Sequence, residues 1–271
     1  MPAKNLRLKI DSNAVINSGT VDSENADKIV DEITWRIGQN GLYRNDLMLL
    51  DIIATNNWER PIYFANPNSI SKVLNVDKYC HLEGIVYRFK PTEAIDYIPK
   101  VGGVNPERTY EVIMADDVRW GRLNEDDVII DRESSRNSGM IKQNYIRLAQ
   151  ALVKEGKPDS VEAVLDRGIH FFPNDKFTFD FYMIPWADNY YKVGATEKGN
   201  DLINVLYERY LEDLTYYTLL DDRFVNYYNE DIQEALAVLQ RLSQLAREHG
   251  QVDLADEIDE SLYEKISMMG M

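Results

Sequence analysis

Two kinds of hydrophobic pattern divide the chain. From Leu6 to about Arg122 the apolar residues come in short runs broken by Gly, Pro and Asn. LRLKI and ITWRI alternate apolar with polar residues, as a strand with one buried face does, while RPIYFA, GIVYRF and RTYEVIM are rich in β-branched and aromatic residues. Five strands are expected from these runs. Between them, NDLMLLDIIATNN has helical spacing. Asn45 is its expected cap, Asp46 suits the positive end of the helix dipole, and Leu47, Leu50, Ile53 and Ala54 fall on one face. Ser69 or Ser71 is expected to open a shorter helix through SKVLNVDKY. Residues 1–122 therefore read as an α+β domain.

Residues 123–139 mix charges with few apolar positions and read as a connection. From residue 140 to 271 the spacing is helical, and residues 142–175 fit one helical hairpin of the tetratricopeptide kind. Tyr145, Leu148, Ala149 and Leu152 fall on the first helix, Gly156 at the turn, Val161, Leu165 and Gly168 on the return helix, and Pro173 at the end. Small Ala149 and Gly168 allow two helices to approach, Gly156 permits the turn, and Pro173 lacks the N–H that would continue a helix. Two looser matches follow. One has Met183, Trp186, Ala187 and Tyr190 before Gly194, then Ile203 and Leu206. The other has Leu239, Leu242, Ser243 and Ala246 before Gly250, then Ala255 and Leu262. The turns lie 38 and then 56 residues apart, with an extra helical piece expected near Leu211 to Phe224. The expected fold is thus an α+β domain followed by an all-α, tetratricopeptide-like helical-hairpin array.

Composition narrows the function. A net charge of −16 disfavours contact with a phosphate backbone, which argues against a nucleic-acid partner. The acid is uneven: 17 basic and 22 acidic residues up to Gly139, against 13 and 24 thereafter. The single cysteine, Cys80, excludes an intrachain disulfide and is expected to pack in the core. The longest apolar run, Leu47 to Ala54, is far short of a membrane span and is broken by Asp51, and MPAKNLRLKIDSNAV has no apolar signal core.

No nucleotide-binding glycine loop, GxSxG elbow, HExxH or CxxC is present, and Gly102 and Gly103 stand without a helix pattern after them. No catalytic residue, metal ligand or cofactor is expected. His81 lies beside Cys80, but neighbours on a strand diverge, so they form no nucleophile–base pair. His249, just before Gly250, reads as a helix C-terminal capping residue. Asp126 and Asp127 read as solvated or capping acids. Asn56 to Asn66, NNWERPIYFAN, is the most unusual short stretch and admits two readings. As a ligand-facing corner, Trp58 offers a stacking face, Arg60 a planar donor fork, and Asn56 and Asn57 mixed hydrogen bonds. As structure, Asn ends the helix, Pro61 starts a strand, Trp58 fills the core, and Arg60 pairs with Asp51 or Glu59. Eleven of the 17 tyrosines lie in the helical half, where most are expected to be core. If the hairpins stack, Gln143, Gln150, Asp188, Tyr191, Gln244 and Arg247 are the expected concave surface.

The order of NDLMLLDIIATNNWERPIYFA, HLEGIVYRFKP and YIRLAQALVKEGK resembles the C-terminal soluble region of large polytopic bacterial membrane proteins of unknown function. Their membrane part is similar to GT-C-type glycosyltransferases and to an animal protein O-mannosyltransferase. The resemblance runs from about Lys28 to the end. It rests on Asn56, Asn57, Trp58, Arg60, Pro61, Tyr63 and Phe64, then Leu82, Glu83, Gly84, Tyr87 and Arg88, none with an assigned role. It implies that catalytic acids lie in a separate N-terminal multi-span region, so none is carried over here. The expected function is then a non-catalytic, extracytoplasmic (periplasmic) accessory module, tethered to the inner membrane, that binds an acceptor polypeptide, a partner subunit or a glycan. The alternatives are a free-standing carbohydrate hydrolase with fold-assembled carboxylates and Trp58 or Trp186 as sugar platforms, and a chaperone or assembly scaffold.

Overall fold

The computed structural model describes residues 5–37, 41–67, 74–221, 223 and 227–269. The chain divides into two compact units, Met1–Arg119 and Trp120–Met271, the first containing the sheets and the second helical.

In the first unit, β1 (Asn5–Lys9) pairs antiparallel with β2 (Glu32–Arg36), with Leu6 opposite Trp35 and Leu8 opposite Ile33. Between them runs a short helix, α1 (Ser12–Asn17), capped by the Asp11 carboxylate, which accepts from the N–H groups of Asn13 and Ala14. A second sheet contains β3 (Tyr63–Phe64), β4 (Cys80–Glu83), β5 (Val86–Phe89) and β6 (Gly103–Val104) in the order β3-β5-β4-β6. Its neighbours are antiparallel except β4 and β6, which are parallel. The β4–β5 hairpin turns at Gly84, whose φ of +79° suits glycine, and a Cβ there would lie 2.4 Å from Val112 Cγ1.

Four of the five expected strands contain one, and the fifth is corrected. RTYEVIM lies within a helix, α3 (Pro106–Met114). Asn105 caps it by accepting from Arg108 N, Pro106 occupies the first turn, and Thr109 and Ile113, four apart, form the buried stripe. These start signals outweigh the β-branched content. Gly102 and Gly103, expected without a helix after them, are followed by α3, and Gly103 itself belongs to β6. Strand β4 shows no alternation because all four of its residues are buried. Cys80 is fully buried, and burial pushes its thiol pKa up. Helix α2 (Arg44–Thr55) is capped at Tyr43, whose N–H donates to the Asp46 carboxylate at 2.9 Å, so Asn45 is not the cap. On its expected apolar face Ile53 is buried, but Leu47 and Ala54 are exposed. The start expected at Ser69 or Ser71 lies outside the described residues, and the chain re-enters with a 3-10 turn at Val76–Tyr79.

The second unit contains α4 (Arg132–Lys154), α5 (Pro158–Phe171), α6 (Ile184–Lys192), α7 (Thr196–Thr218), α8 (Asn229–Glu248) and α9 (Val252–Met268). Helix α4 thus begins inside the stretch expected as a connection. The extra helical piece expected after Leu211 is in its described part the continuation of α7 to Thr218.

The pairs α4/α5, α6/α7 and α8/α9 are joined by three-residue turns centred on Gly156, Gly194 and Gly250, with φ of +70°, +83° and +76°. At each turn the residue after glycine donates back to the preceding helix: Lys157 N to Leu152 O, Ala195 N to Tyr190 O, and Gln251 N to Ala246 O. Each glycine N–H bonds to the next carbonyl, of Val153, Tyr191 and Arg247 respectively, completing a Schellman stop. Successive hairpins pack through α4 and α5 on α6, and through α7 on α8 and α9. The interior residues expected from the hairpin spacing, from Tyr145 to Leu262, are buried.

Gly168 leaves room on α5 for the Trp186 ring of α6: a Cβ there would lie 2.3 Å from Trp186 Cη2 and 3.1 Å from Tyr145 Cδ1. Those two rings stack with centroids 6.2 Å apart. Gly168→Ala is expected to destabilise the protein by about 1–3 kcal/mol through overpacking. Gly139→Ala, in α4 with no atom within 4 Å of the new Cβ, is expected to stabilise by roughly 0.5–1 kcal/mol. Urea denaturation of both variants checks the contrast, and a neutral Gly168→Ala would disprove the close-packing account.

Candidate functional site

The corner after α2 is built by backbone strain. Asn57 and Trp58 both have positive φ, +42° and +64°, and Glu59 N donates to Asn56 O at 2.9 Å across them. Asn tolerates this region, but a Trp there costs about 1–2 kcal/mol. Burial of the Trp58 ring offsets that cost: it is 8% exposed and stacks on Phe89 at 5.7 Å, while Phe64 and Tyr79 meet Phe89 edge-on. The Asn56 side-chain amide donates to Arg60 O at 2.7 Å and accepts from Arg60 N at 3.3 Å. Asn56 and Trp58 therefore hold the corner. Asn57 and Arg60 are exposed, and the expected pairing of Arg60 with Asp51 or Glu59 is absent among the described ion pairs.

Strand alternation sends Leu82, Tyr87 and Phe89 to one face of the β3–β6 sheet and His81, Glu83 and Arg88 to the other. Glu83 is almost sealed from water. Its Oε1 lies 2.6 Å from Lys90 Nζ and accepts from Asn105 Nδ2 at 3.4 Å, while Arg88 Nη1 stands 4.0 Å from Oε2. His81 Nε2 is 3.1 Å from both the carbonyl and the hydroxyl oxygen of Thr92, so this nitrogen carries the ring hydrogen toward the carbonyl. Burial, reinforced by Lys90 and Arg88, pushes the His81 pKa down to about 4, against smaller opposing effects of Thr92 and Glu83. The sequence alone assigns Glu83 and Arg88 no role in such a cluster. Its one signal was charge at every second position of HLE and YRFK.

In the helical unit Gln143 and Gln150 on α4, and Gln244 and Arg247 on α8, are exposed. Arg247 is tied to Asp256 and Asp259 of α9, and Gln244 donates to Glu248. Asp188 is half-buried between Lys192 at 2.6 Å and His249 Nε2 at 3.1 Å. Tyr191, expected on the ligand face, is instead buried. Its ring stacks on His249 at 4.7 Å and fills the space left by Gly199, and its hydroxyl donates to Asn200. Burial pushes its pKa up to about 12. His249 is the C-terminal cap of α8 as expected, and it also joins α8 to α6. Trp186, like Trp58, is buried, so neither ring is open to a sugar.

The tyrosines divide by position. Tyr145, Tyr190, Tyr191, Tyr207 and Tyr210 are buried, whereas Tyr216 and Tyr227 are 54% and 80% exposed. Tyr216, Tyr217, Tyr228 and Tyr227 form a chain of ring contacts at 5.6, 5.5 and 5.0 Å, with Leu219 exposed nearby in sequence. The Tyr217 pKa is raised, first by burial and then by the nearby charges of Asp231 and Asp213. Carboxylates therefore flank this aromatic patch. Asp127, expected as a solvated or capping acid, is exposed and bound by Arg122 at 2.9 Å.

Residues 1–108 match a family model described as TMEM260-associated domain 2, a description that ties the matched family to a membrane protein. The match covers both sheets and the corner, and ends within α3. No curated protein and no solved structure matches the chain. Among the described residues no helix is long and apolar enough to cross a membrane.

His81 gives the first unit a defined response to acid. Its folded pKa lies below the unfolded value of 6.5, so the unfolded state binds more protons between the two. Its contribution is complete above the unfolded pKa and is lost as pH falls toward about 4. A loss of about 2 kcal/mol is expected between about pH 7 and pH 5. His81→Asn, which keeps a polar partner for Thr92 without titrating, should lack that component. Equal losses in both proteins, measured by urea denaturation, would remove His81 as the cause.

Proposed function

We propose that the chain is a non-catalytic interaction module of a membrane protein, in which the helical unit docks an acceptor polypeptide or a partner subunit. The observation that carries this reading is the surface cluster of Tyr216, Tyr217, Tyr227 and Tyr228, in which Tyr216 and Tyr227 are exposed and Tyr217 and Tyr228 half-buried. Tyrosine rings clustered at the surface leave apolar area in water and are a residue type that dominates binding hot spots. The flanking Asp213 and Asp231 favour a polypeptide that brings basic side chains onto the rings. Gln143, Gln150, Gln244 and Arg247, on the first helices of two hairpins, add polar groups of the kind found at an interface rim.

Attachment to a membrane protein is supported by the match of residues 1–108 and by the resemblance of the Asn56–Phe64 and Leu82–Arg88 stretches. In this reading the helical unit is a tetratricopeptide-like array on the extracytoplasmic side. There it raises the effective concentration of an acceptor for a tethered glycosyltransferase-like region.

Two measurements test the proposal. In cells that produce the protein, an antibody against this chain should detect a species larger than 31.4 kDa in the membrane fraction. A photo-cross-linking residue at Tyr227 should give one discrete polypeptide adduct, absent when the same residue replaces exposed Glu257 of α9. A soluble species of 31.4 kDa would overturn the attachment. Equal adducts at both positions, or none, would overturn the docking surface.

A further inference from the structure

On the polar face of the β3–β6 sheet, Lys90 and Arg88 both approach Glu83, and the neighbouring His81 is neutral. Two cations thus face one carboxylate, leaving a local surplus of positive charge in a chain whose net charge is −16. The carboxylate is committed elsewhere, because Glu83 Oε1 takes Lys90 and Asn105. Arg88 Nη1, 4.0 Å from Oε2, is too far for a hydrogen bond. The guanidinium donates one Nη2 hydrogen to Gly19 O at 3.3 Å, and its Nε, sealed from water, has no partner. A guanidinium carries five donors in a rigid plane suited to two oxygens of one anion, so most of this fork is unused. The Arg88 side chain keeps 20% of its surface exposed. Tyr63, directly across from Arg88 on β3, is 47% exposed and opens the same face at the sheet edge. Nearby Arg108, whose charge senses Glu83 and Tyr63, is already paired with Glu111.

We propose that Arg88, backed by Lys90 and bordered by Tyr63, anchors an oxyanion site that takes the carboxylate or phosphate group of a small ligand. The ligand accepts from the Nη hydrogens that Gly19 leaves free and neutralises the surplus charge. Glu83 sets the geometry by holding Lys90 in place and leaving the guanidinium free. This site is independent of the helical docking surface, and either one stands if the other fails.

The test is an NMR titration of the full-length, 15N-labelled chain with sodium phosphate and, separately, sodium acetate, with chloride keeping ionic strength constant. The Arg88 Nε–H signal is identified by its absence in Arg88→Lys, or in Arg88→Gln where the first variant does not fold. A saturable shift of that signal is expected, and the backbone amide signals of β3 and β5, followed in both proteins, should report an affinity roughly tenfold or more lower in Arg88→Lys, which keeps the charge but not the fork. Response to phosphate alone assigns a phosphate ligand, response to acetate alone a carboxylate, and response to both a general oxyanion site. No saturable shift with either anion, or the same shift with chloride alone, overturns the proposal and leaves Arg88 as a structural partner of Gly19.

Discussion

A carboxylate taken out of water must find a cation, and Glu83 meets that constraint through Lys90 at 2.6 Å. Much of the first unit follows from it. Lys90 is held just beyond β5, Asn105 is drawn to Glu83 while capping α3, and Arg88 is left with a loose approach to the same group. His81, two residues along β4, remains uncharged because a third cation there would be both buried and repelled. One face of a small sheet is thereby charged and the other is built from Leu82, Tyr87 and Phe89, the last carrying the strained Trp58 corner. The strain at Trp58 is affordable because its ring is stacked and buried.

The helical unit obeys a different constraint: each hairpin must reverse direction in three residues without leaving carbonyls unpaired. Gly156, Gly194 and Gly250 meet it with the same backbone bonds, so the three hairpins share one construction despite unequal spacing. Tyrosine serves two purposes on this frame. Tyr145, Tyr190 and Tyr191 fill the gaps between hairpins, and Gly168 and Gly199 stay small to admit Trp186 and the Tyr191 ring. Tyr216 and Tyr227 have no such niche and remain at the surface.

Legibility differed accordingly. The hairpin turns and interior positions were readable because glycine at a stop and apolar residues at helical spacing have local causes. At Pro106–Met114 the β-branched content points to a strand, and the Asn105–Pro106 start signal overrides it. For Tyr191, helical spacing gives a direction for the side chain but not the neighbour that covers it, here His249, 58 residues away in sequence. The corner was legible only as two open readings. Asn56 and Trp58 proved to be structural once Phe89 and the Arg60 backbone were in place.

The sequence by itself determined the division into a sheet-bearing half and a helical half, the three glycine turns, the buried cysteine and the large negative charge, since each depends on residues near one another along the chain. Tertiary structure alone decided which charges meet. Glu83, Lys90, Asn105 and Gly19 come from separate elements, and nothing local in HLEGIVYRFK says that Arg88 will be left with an unpaired, buried Nε. The same holds for the tyrosines, whose burial or exposure depends on whether another hairpin arrives to cover them.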